Sequence, residues 1–247
     1  MGLPSAPPLL SAAAGEALES EEASGPAAAD RERARSERAW ADYQVFLADP
    51  GHRCPTCWLL RRFCCCAEIP SVQLRPRVLL LMHHVELSQR RTSNTAKVLM
   101  HFGAELFAWG VAEHDRQFSE EILADPGGTV VLFPAEGAVE AGSLTGGGGE
   151  APRCIVVLDG GWRECKRMNS WIDPRIRRCI VTTASREVYG GTRKYGGDGA
   201  EGRVQTAAAF AALLRELGEE ATHIAAMEHA LACFLSRYEA QIKRSKT

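Results

Sequence analysis

Nine cysteines stand in the sequence, and five of them cluster in one short segment. Four have the spacing Cys-x2-Cys-x6-Cys-x-Cys: Cys54, Cys57, Cys64 and Cys66. Four thiolates complete a tetrahedral zinc site with no open position, and such a site stabilises a segment that has little core of its own. We therefore expect a structural Zn²⁺ ion here. An iron–sulfur cluster is the alternative, and Cys65 or His52 could substitute as a ligand.

A second set of polar residues follows short apolar runs that have the composition of strands buried on both faces. One run leads to His83 and Glu86, and another ends in Asp159. Ligand sites in open α/β sheets gather at the carboxyl ends of the strands. An Asp followed by two glycines places a carboxylate beside backbone N–H groups, which suits a polar ligand or a general base. Each residue could also have a purely structural role, such as a helix N-cap for Asp159.

The elements that must position these residues can be predicted from periodicity. Apolar runs predict buried strands at residues 77–82, 129–134, 154–159 and 178–182. Helical spacing of apolar residues predicts helices at 30–49, 93–102, 162–171 and 204–243, the last one broken near Gly218. Alternating strands and helices predict an α/β fold with a mostly parallel sheet.

The overall composition excludes several classes of protein. Hydrophobic residues make up 45% of the chain and charged residues 24%, as in ordinary globular proteins and unlike disordered or collagen-like chains. The longest apolar run is far shorter than the ~20 residues that a membrane-spanning helix needs. No targeting signal is recognisable, so we expect an intracellular protein, cytoplasmic or nuclear, without membrane contact.

Charge is distributed unevenly along the chain, although the formal net charge is only −2. Residues 1–30 carry five acidic residues and no Lys or Arg, and we expect this segment to be disordered. Residues 153–194 hold ten basic and four acidic residues, and residues 53–91 hold seven basic and two acidic residues. This distribution suits a polyanionic partner, with an ordinary solvated surface as the alternative.

Taken together and in order, the motifs resemble the DTW-domain family from Cys54 to about Leu214. The matching positions, after the cysteine motif, are Ile69-Pro70, His83 and Glu86, Asn94-Thr95, Leu132-Phe133-Pro134, Asp159-Gly160-Gly161-Trp162, Tyr189–Arg193 and Thr206. Two positions depart from the family pattern. Gly161 stands where the signature has Thr, and Ala208 stands where a late Thr-x-Glu-Ala motif has Glu.

The resemblance implies a SPOUT-like domain with a C-terminal knot. It also implies the activity of family members, which transfer the 3-amino-3-carboxypropyl group of S-adenosylmethionine to uridine N3 in tRNA. It implies Asp159 as the general base, with Glu86 and His83 as catalytic or orienting residues. The residues expected to bind the donor are Leu132, Phe133, Pro134, Gly160, Gly161, Trp162 and Arg193, with Arg186 as an alternative to Arg193. tRNA would contact the basic segments and the zinc knot.

With this resemblance the chain divides into three parts: a disordered acidic segment (1–30), a helix with the zinc knot (31–70), and the catalytic domain with its C-terminal helices (71–247). Three other functions stay open. The same transfer could act on ribosomal RNA, and the same donor could supply a methyl group instead. The two departures also permit an inactive, zinc-containing RNA-binding protein.

Overall fold

The computed structural model of the chain describes residues 26–88, 94–146, 150–183 and 205–244. Within these ranges six strands form one sheet in the order β2-β1-β5-β3-β6-β4, and every pair is parallel. The strands are β1 (Arg77–Met82), β2 (Glu105–Ala108), β3 (Thr129–Leu132), β4 (Val139–Glu140), β5 (Cys154–Asp159) and β6 (Arg177–Ile180). The predicted α/β fold with a parallel sheet is confirmed.

The helices surround this sheet. The α-helices are α1 (Pro26–Ala48), α2 (His84–Ser88), α3 (Ala112–Ala124), α4 (Trp162–Trp171), α5 (Thr206–Glu216) and α6 (Ala221–Arg244). Short 3₁₀ turns are formed by Arg61–Phe63, Cys66–Glu68, Ala96–Phe102 and Ala141–Leu144. Gly218 separates α5 from α6 with a φ of 68°, a conformation that favours glycine, as the sequence predicted.

The sheet carries a hydrophobic core on each face, because side chains alternate along a strand. On one face Val78 and Leu80 of β1 belong to a core shared with α5 and α6. On the other face Leu79 and Leu81 belong to a core shared with α3 and α4. The central strands β1 and β5 are therefore apolar at almost every position, which is why their bounds could be predicted from the sequence.

Helix α1 corrects one expectation about the N-terminal segment. It begins at Pro26, so residues 26–30 are helical although they fall in the stretch expected to be disordered. Three consecutive alanines there extend the helix, because alanine has the highest helix propensity. Ser36, Ala39, Tyr43 and Phe46 are its buried residues. Residues 1–25 lie outside the described ranges.

The expected C-terminal knot stays a prediction, because residues 184–204 between β6 and α5 lie outside the described ranges. In the part of the chain that is described, no helix is both long and apolar enough to cross a membrane.

Candidate active site and four-cysteine metal site

Asp159 ends β5 in a buried cluster of polar side chains. Its side chain accepts hydrogen bonds at both oxygens, from Asn94 Nδ2 at Oδ2 and from Thr206 Oγ1 at Oδ1, the latter over 3.0 Å. Asn94 Nδ2 also donates to Glu86 Oε2 over 3.1 Å. One amide group therefore joins the two carboxylates, and the structure brings Asp159 and Glu86 together as the sequence predicted.

Strand pairing and one tight turn place these groups. Met82 at the end of β1 pairs with Asp159, so residues just after β1 lie beside that carboxylate. Asn94 Oδ1 accepts a hydrogen bond from the N–H of Ala96 over 2.8 Å. This side-chain bond closes a turn at the start of the Ala96–Phe102 segment, which is a 3₁₀ turn and not the α-helix predicted at 93–102.

Lys97 lies next to this cluster and is fully buried. Its Nζ is 4.9 Å from the ring centroids of both Trp58 and Phe234. Burial lowers the pKa of Lys97 to about 7, although the charges of Cys57, Asp159 and Glu86 favour the protonated form. A titratable cation is therefore buried where the charges of Cys57 and of the two carboxylates act on it.

His83 belongs to a second cluster. Its backbone N–H donates to the Asp159 carbonyl over 2.9 Å, but its ring contacts other groups. Nδ1 accepts a hydrogen bond from the N–H of Val85 over 3.3 Å, and Nε2 lies 3.0 Å from Glu32 Oε1. The ring is therefore the tautomer that donates from Nε2 to Glu32. Its predicted catalytic role remains a prediction.

Glu32, on α1, holds this second cluster together. Its carboxylate also pairs with the Arg167 guanidinium, in which Nη1 lies 2.9 Å from Oε1. Burial raises the pKa of Glu32, but hydrogen bonds from Arg167 and His83 more than offset this effect. The net pKa lies below the usual value, so Glu32 is ionised at neutral pH and ties α1 to α4 and to the end of β1.

Two predicted donor-binding residues form an aromatic pair at the same edge of the sheet. Phe133, just after β3, and Trp162, the first residue of α4, have ring centroids 5.2 Å apart. Phe133 is buried, whereas Leu132 and Trp162 are half-buried and Pro134 is exposed. The two rings are tilted by 31°, and of the two only Trp162 is partly accessible beside the strand ends.

The glycines of the signature differ in what surrounds them. A Cβ on Gly160 would lie 3.2 Å from His83 Cβ and 3.3 Å from Glu164 Cβ, so close packing between β1 and α4 favours glycine there. A Cβ on Gly161 would lie 2.3 Å from Glu164 Oε2. The Glu164 carboxylate thus fills space that a threonine side chain would need.

The other departure, Ala208, is fully buried on α5. The hydrogen bonds that Asp159 receives from Asn94 and Thr206 involve neither Gly161 nor Ala208. Arg193, predicted to bind the donor, and its alternative Arg186 lie outside the described residues, as does Tyr189.

The four predicted metal ligands come together. The sulfur atoms of Cys54, Cys57, Cys64 and Cys66 all lie within 4.8 Å of one another, and those of Cys54 and Cys66 are 3.5 Å apart. A tetrahedral zinc site with Zn–S bonds of about 2.3 Å separates its sulfurs by about 3.8 Å, so the arrangement fits such an ion. None of the nine cysteines forms a disulfide.

Hydrogen bonds inside this group separate the acidities of its thiols. Hydrogen bonds from Cys65 and Cys66 hold the pKa of Cys57 well below its usual range, and the same contact raises the pKa of Cys66. A thiolate is the form that binds metal. Cys65, the possible substitute ligand, is fully buried beside the group, whereas His52 is exposed.

Sequence reasoning missed three residues of these clusters: Lys97, Glu32 and Arg167. Lys97 could have been found as a charged residue that interrupts the apolar stretch 96–102. Glu32 and Arg167 are 135 positions apart, and no local pattern links them.

A comparison with known protein families covers the same residues that form these sites. Residues 51–239 match the family model of the DTW domain. No curated protein and no solved structure gives a significant match. The matched segment contains the four cysteines, the end of β1 and the Asp159 cluster, and it covers most of the chain. The protein therefore belongs to the DTW-domain family.

Proposed function

We propose that this protein transfers the 3-amino-3-carboxypropyl group of S-adenosylmethionine to N3 of a uridine in tRNA, leaving methylthioadenosine. The observation that supports this most strongly is the buried Asp159–Asn94–Glu86 cluster at the carboxyl edge of the sheet. Membership of the DTW-domain family is consistent with a role in tRNA modification.

The reaction needs a base and a precise alignment of its two substrates. The N3–H proton passes to a carboxylate, N3 attacks the γ-carbon of the donor, and the carbon–sulfur bond breaks with its electron pair going to sulfur. Asp159 is the candidate base, and a positioned base contributes about 10²–10⁴-fold. Alignment of the reactants contributes about 7–11 kcal/mol. Loss of the groups that hold Asp159 in position is therefore expected to slow the reaction as much as loss of the carboxylate itself.

The remaining residues have supporting roles in this proposal. The Phe133–Trp162 pair would pack against the adenosyl group, and Gly160 would allow its close approach. Arg193 would bind the carboxylate of the donor, for which a guanidinium is well suited. The four cysteines would hold a structural Zn²⁺ ion that stabilises residues 54–66 and takes no part in the transfer.

A second candidate is an RNA-binding protein without catalytic activity. Gly161 and Ala208, which replace polar residues of the family pattern, favour this candidate. The contacts of Asp159 favour the enzyme, because both of its partners, Asn94 and Thr206, are present.

Mass spectrometry of nucleosides tests the proposal. Unmodified tRNA is incubated with S-adenosylmethionine and the wild type, Asp159→Asn, or the control Glu120→Gln on the exposed side of α3. We expect aminocarboxypropyluridine and methylthioadenosine with the wild type and the control, and about 10²–10⁴-fold less with Asp159→Asn. Equal product with Asp159→Asn would reject Asp159 as the base.

The other products separate the alternatives. Adenosylhomocysteine together with methylated tRNA would identify a methyltransferase. Binding of the donor without product on tRNA, followed by product on ribosomal RNA, would change the substrate. Failure to bind the donor would favour the inactive protein.

A further inference from the structure

We propose that one side of α1 forms part of the RNA-binding surface. The residues are Arg31, Arg35 and Arg38, which we call the α1 stripe, and their partners are phosphates of the substrate RNA. The inference rests on the proposed function for the identity of that RNA. Helix α1 precedes residue 51, where the match to the DTW domain begins, so the family domain does not include this surface.

The geometry of the helix places the three arginines together. Their positions are i, i+4 and i+7, which lie within about 60° of one another around an α-helix and span about 10 Å of its length. All three side chains are exposed. The adjacent side of α1 is buried through Ala39, Tyr43 and Phe46, so the stripe stands on a helix that is fixed to the core. Asp42, one turn later, ends the stripe.

These charges lack the compensation that is common elsewhere on this protein. In residues 26–88, 94–146, 150–183 and 205–244, no carboxylate forms an ion pair with the stripe. Several other exposed arginines are paired with carboxylates, including Arg77 with Glu105 and Glu121, Arg116 with Glu113, Arg153 with Asp125 and Arg175 with Asp173. Arginines without such partners release counterions when they bind phosphates, which drives association with RNA.

The opposite side of α1 has a different character. Glu37 accepts a hydrogen bond from the N–H of Ala112 over 3.1 Å. The positive charge of Arg33 partly offsets the rise that burial causes in the pKa of Asp115. That side faces α3 and mixes both signs of charge. Arg35 is close enough to α2 for its positive charge to contribute to the lowered pKa of His84.

His84 provides a second observation that points to a ligand. It is only 8% exposed, and its Nδ1 has no hydrogen-bond partner in the described part of the chain. Buried polar groups normally have a partner. Charges of both signs act on this ring, those of Arg35 and Arg167 and that of the Glu32 carboxylate, which lies within 4.8 Å of a ring nitrogen.

The stripe is also tied to the candidate active site. Glu32, one residue after Arg31, is bound by His83 and Arg167. Arg163, one turn before Arg167 on α4, and Lys166 are exposed and extend the positive surface towards Trp162. The stripe therefore begins within one helical turn of Glu32, which contacts the residue that follows β1.

Binding of a tRNA transcript to the full chain, measured by fluorescence anisotropy between 0.05 and 0.5 M salt, tests the inference without S-adenosylmethionine. The variant is Arg31→Gln/Arg35→Gln/Arg38→Gln. The control is Arg116→Gln/Arg215→Gln/Arg237→Gln, which removes the same charge from arginines that are already paired, with Glu113, Glu228 and Glu68, and that lie outside the basic segments 53–91 and 153–194. A triple Arg→Lys variant of the stripe keeps the charge, and circular dichroism checks that each variant folds.

We expect the slope of log Kd against log salt to be shallower by about 2 to 3 in the Gln variant, because each phosphate contact contributes about 0.7–0.9. If the binding curves converge near 1 M salt, affinity at 0.1 M falls about 100- to 1000-fold. The control and the Lys variant should keep nearly all of the wild-type slope.

Three results would overturn the inference: no RNA binding by the wild type, an unchanged slope in the Gln variant, or an equal loss in the control. A variant that binds RNA normally but loses binding to anionic lipid vesicles or to an acidic protein would assign the stripe to that partner. Because no turnover is measured, weaker RNA binding by the Gln variant supports the stripe even if the protein forms no aminocarboxypropyluridine.

Discussion

Replacing Lys97 by methionine should change how the stability of this protein depends on pH. The pKa of Lys97 falls from 10.5 to about 7 in the folded state because the ammonium group is buried. Below pH 7 the lysine binds its proton in both states, and burial of the charge destabilises the fold. Between pH 7 and 10.5 only the unfolded chain binds this proton, so stability rises with pH.

The size of the effect follows from the two pKa values. Each pH unit in that window adds at most about 1.4 kcal/mol to the free energy of unfolding. Because folded Lys97 loses its proton gradually near pH 7, the gain between pH 7 and pH 9 is about 2 kcal/mol. Methionine has a similar volume and packs well against aromatic rings. Lys97→Met should therefore still contact Trp58 and Phe234 without titrating.

Urea denaturation of the wild type and Lys97→Met at pH 7, 8 and 9, under reducing conditions, measures this difference. The free energy of unfolding of the wild type should rise relative to that of the variant by about 2 kcal/mol across the range. Buried thiols such as Cys165, whose pKa is raised by burial, titrate in both proteins and cancel. A difference between the two proteins that stays constant from pH 7 to pH 9 would refute the assignment of a lowered pKa to Lys97.

Two further predictions concern the metal site and α1. Cys54→Ser should reduce the zinc content from about one ion per chain to near zero, measured by mass spectrometry of the metal, whereas Cys154→Ser should keep the ion because that thiol lies in the core. Retention of zinc by Cys54→Ser would exclude this ligand set. Glu32→Ala should lower the free energy of unfolding at pH 7 by about 1–3 kcal/mol, since it removes charged hydrogen bonds, while Asp42→Ala should change it by less than about 0.5 kcal/mol. Because the pKa of Glu32 is lowered on folding, this contribution is present above pH 4.5 and disappears as the pH falls through the lower folded value. A Glu32→Ala effect that does not decline in acid would contradict the ion-pair explanation.

The sheet could be predicted where its strands are buried on both faces. β1 and β5 have the predicted bounds, because a short continuous run of branched apolar residues is typical of a strand with helices on both sides. β3 and β6 end two residues earlier than expected, at Leu132 and Ile180. β2 and β4 escaped prediction because they are short edge strands, whose limits depend on pairing with a neighbour and not on their own composition.

The candidate site could be predicted in part for a related reason. Residues at strand ends, such as Asp159 and Glu86, follow from the topology, since parallel strands deliver their carboxyl ends to one edge. Asn94 could be recognised as part of a family motif, but its contacts with both carboxylates depend on the tertiary structure. Glu32 reaches His83 from a helix outside the family domain, so only tertiary structure reveals it.

The four-cysteine site and the candidate active site are joined through Trp58 and Lys97. Trp58 follows the ligand Cys57 and has a φ of 60°, which is unusual for a bulky residue. This conformation directs a fully buried indole ring against Lys97, whose charge acts on Asp159 and Glu86. A metal ion that fixes the turn at Cys54–Cys57 therefore also fixes one wall around the lysine. A metal ion bound by the four cysteines would in this way influence the electrostatics around Asp159 and Glu86 without contacting a substrate.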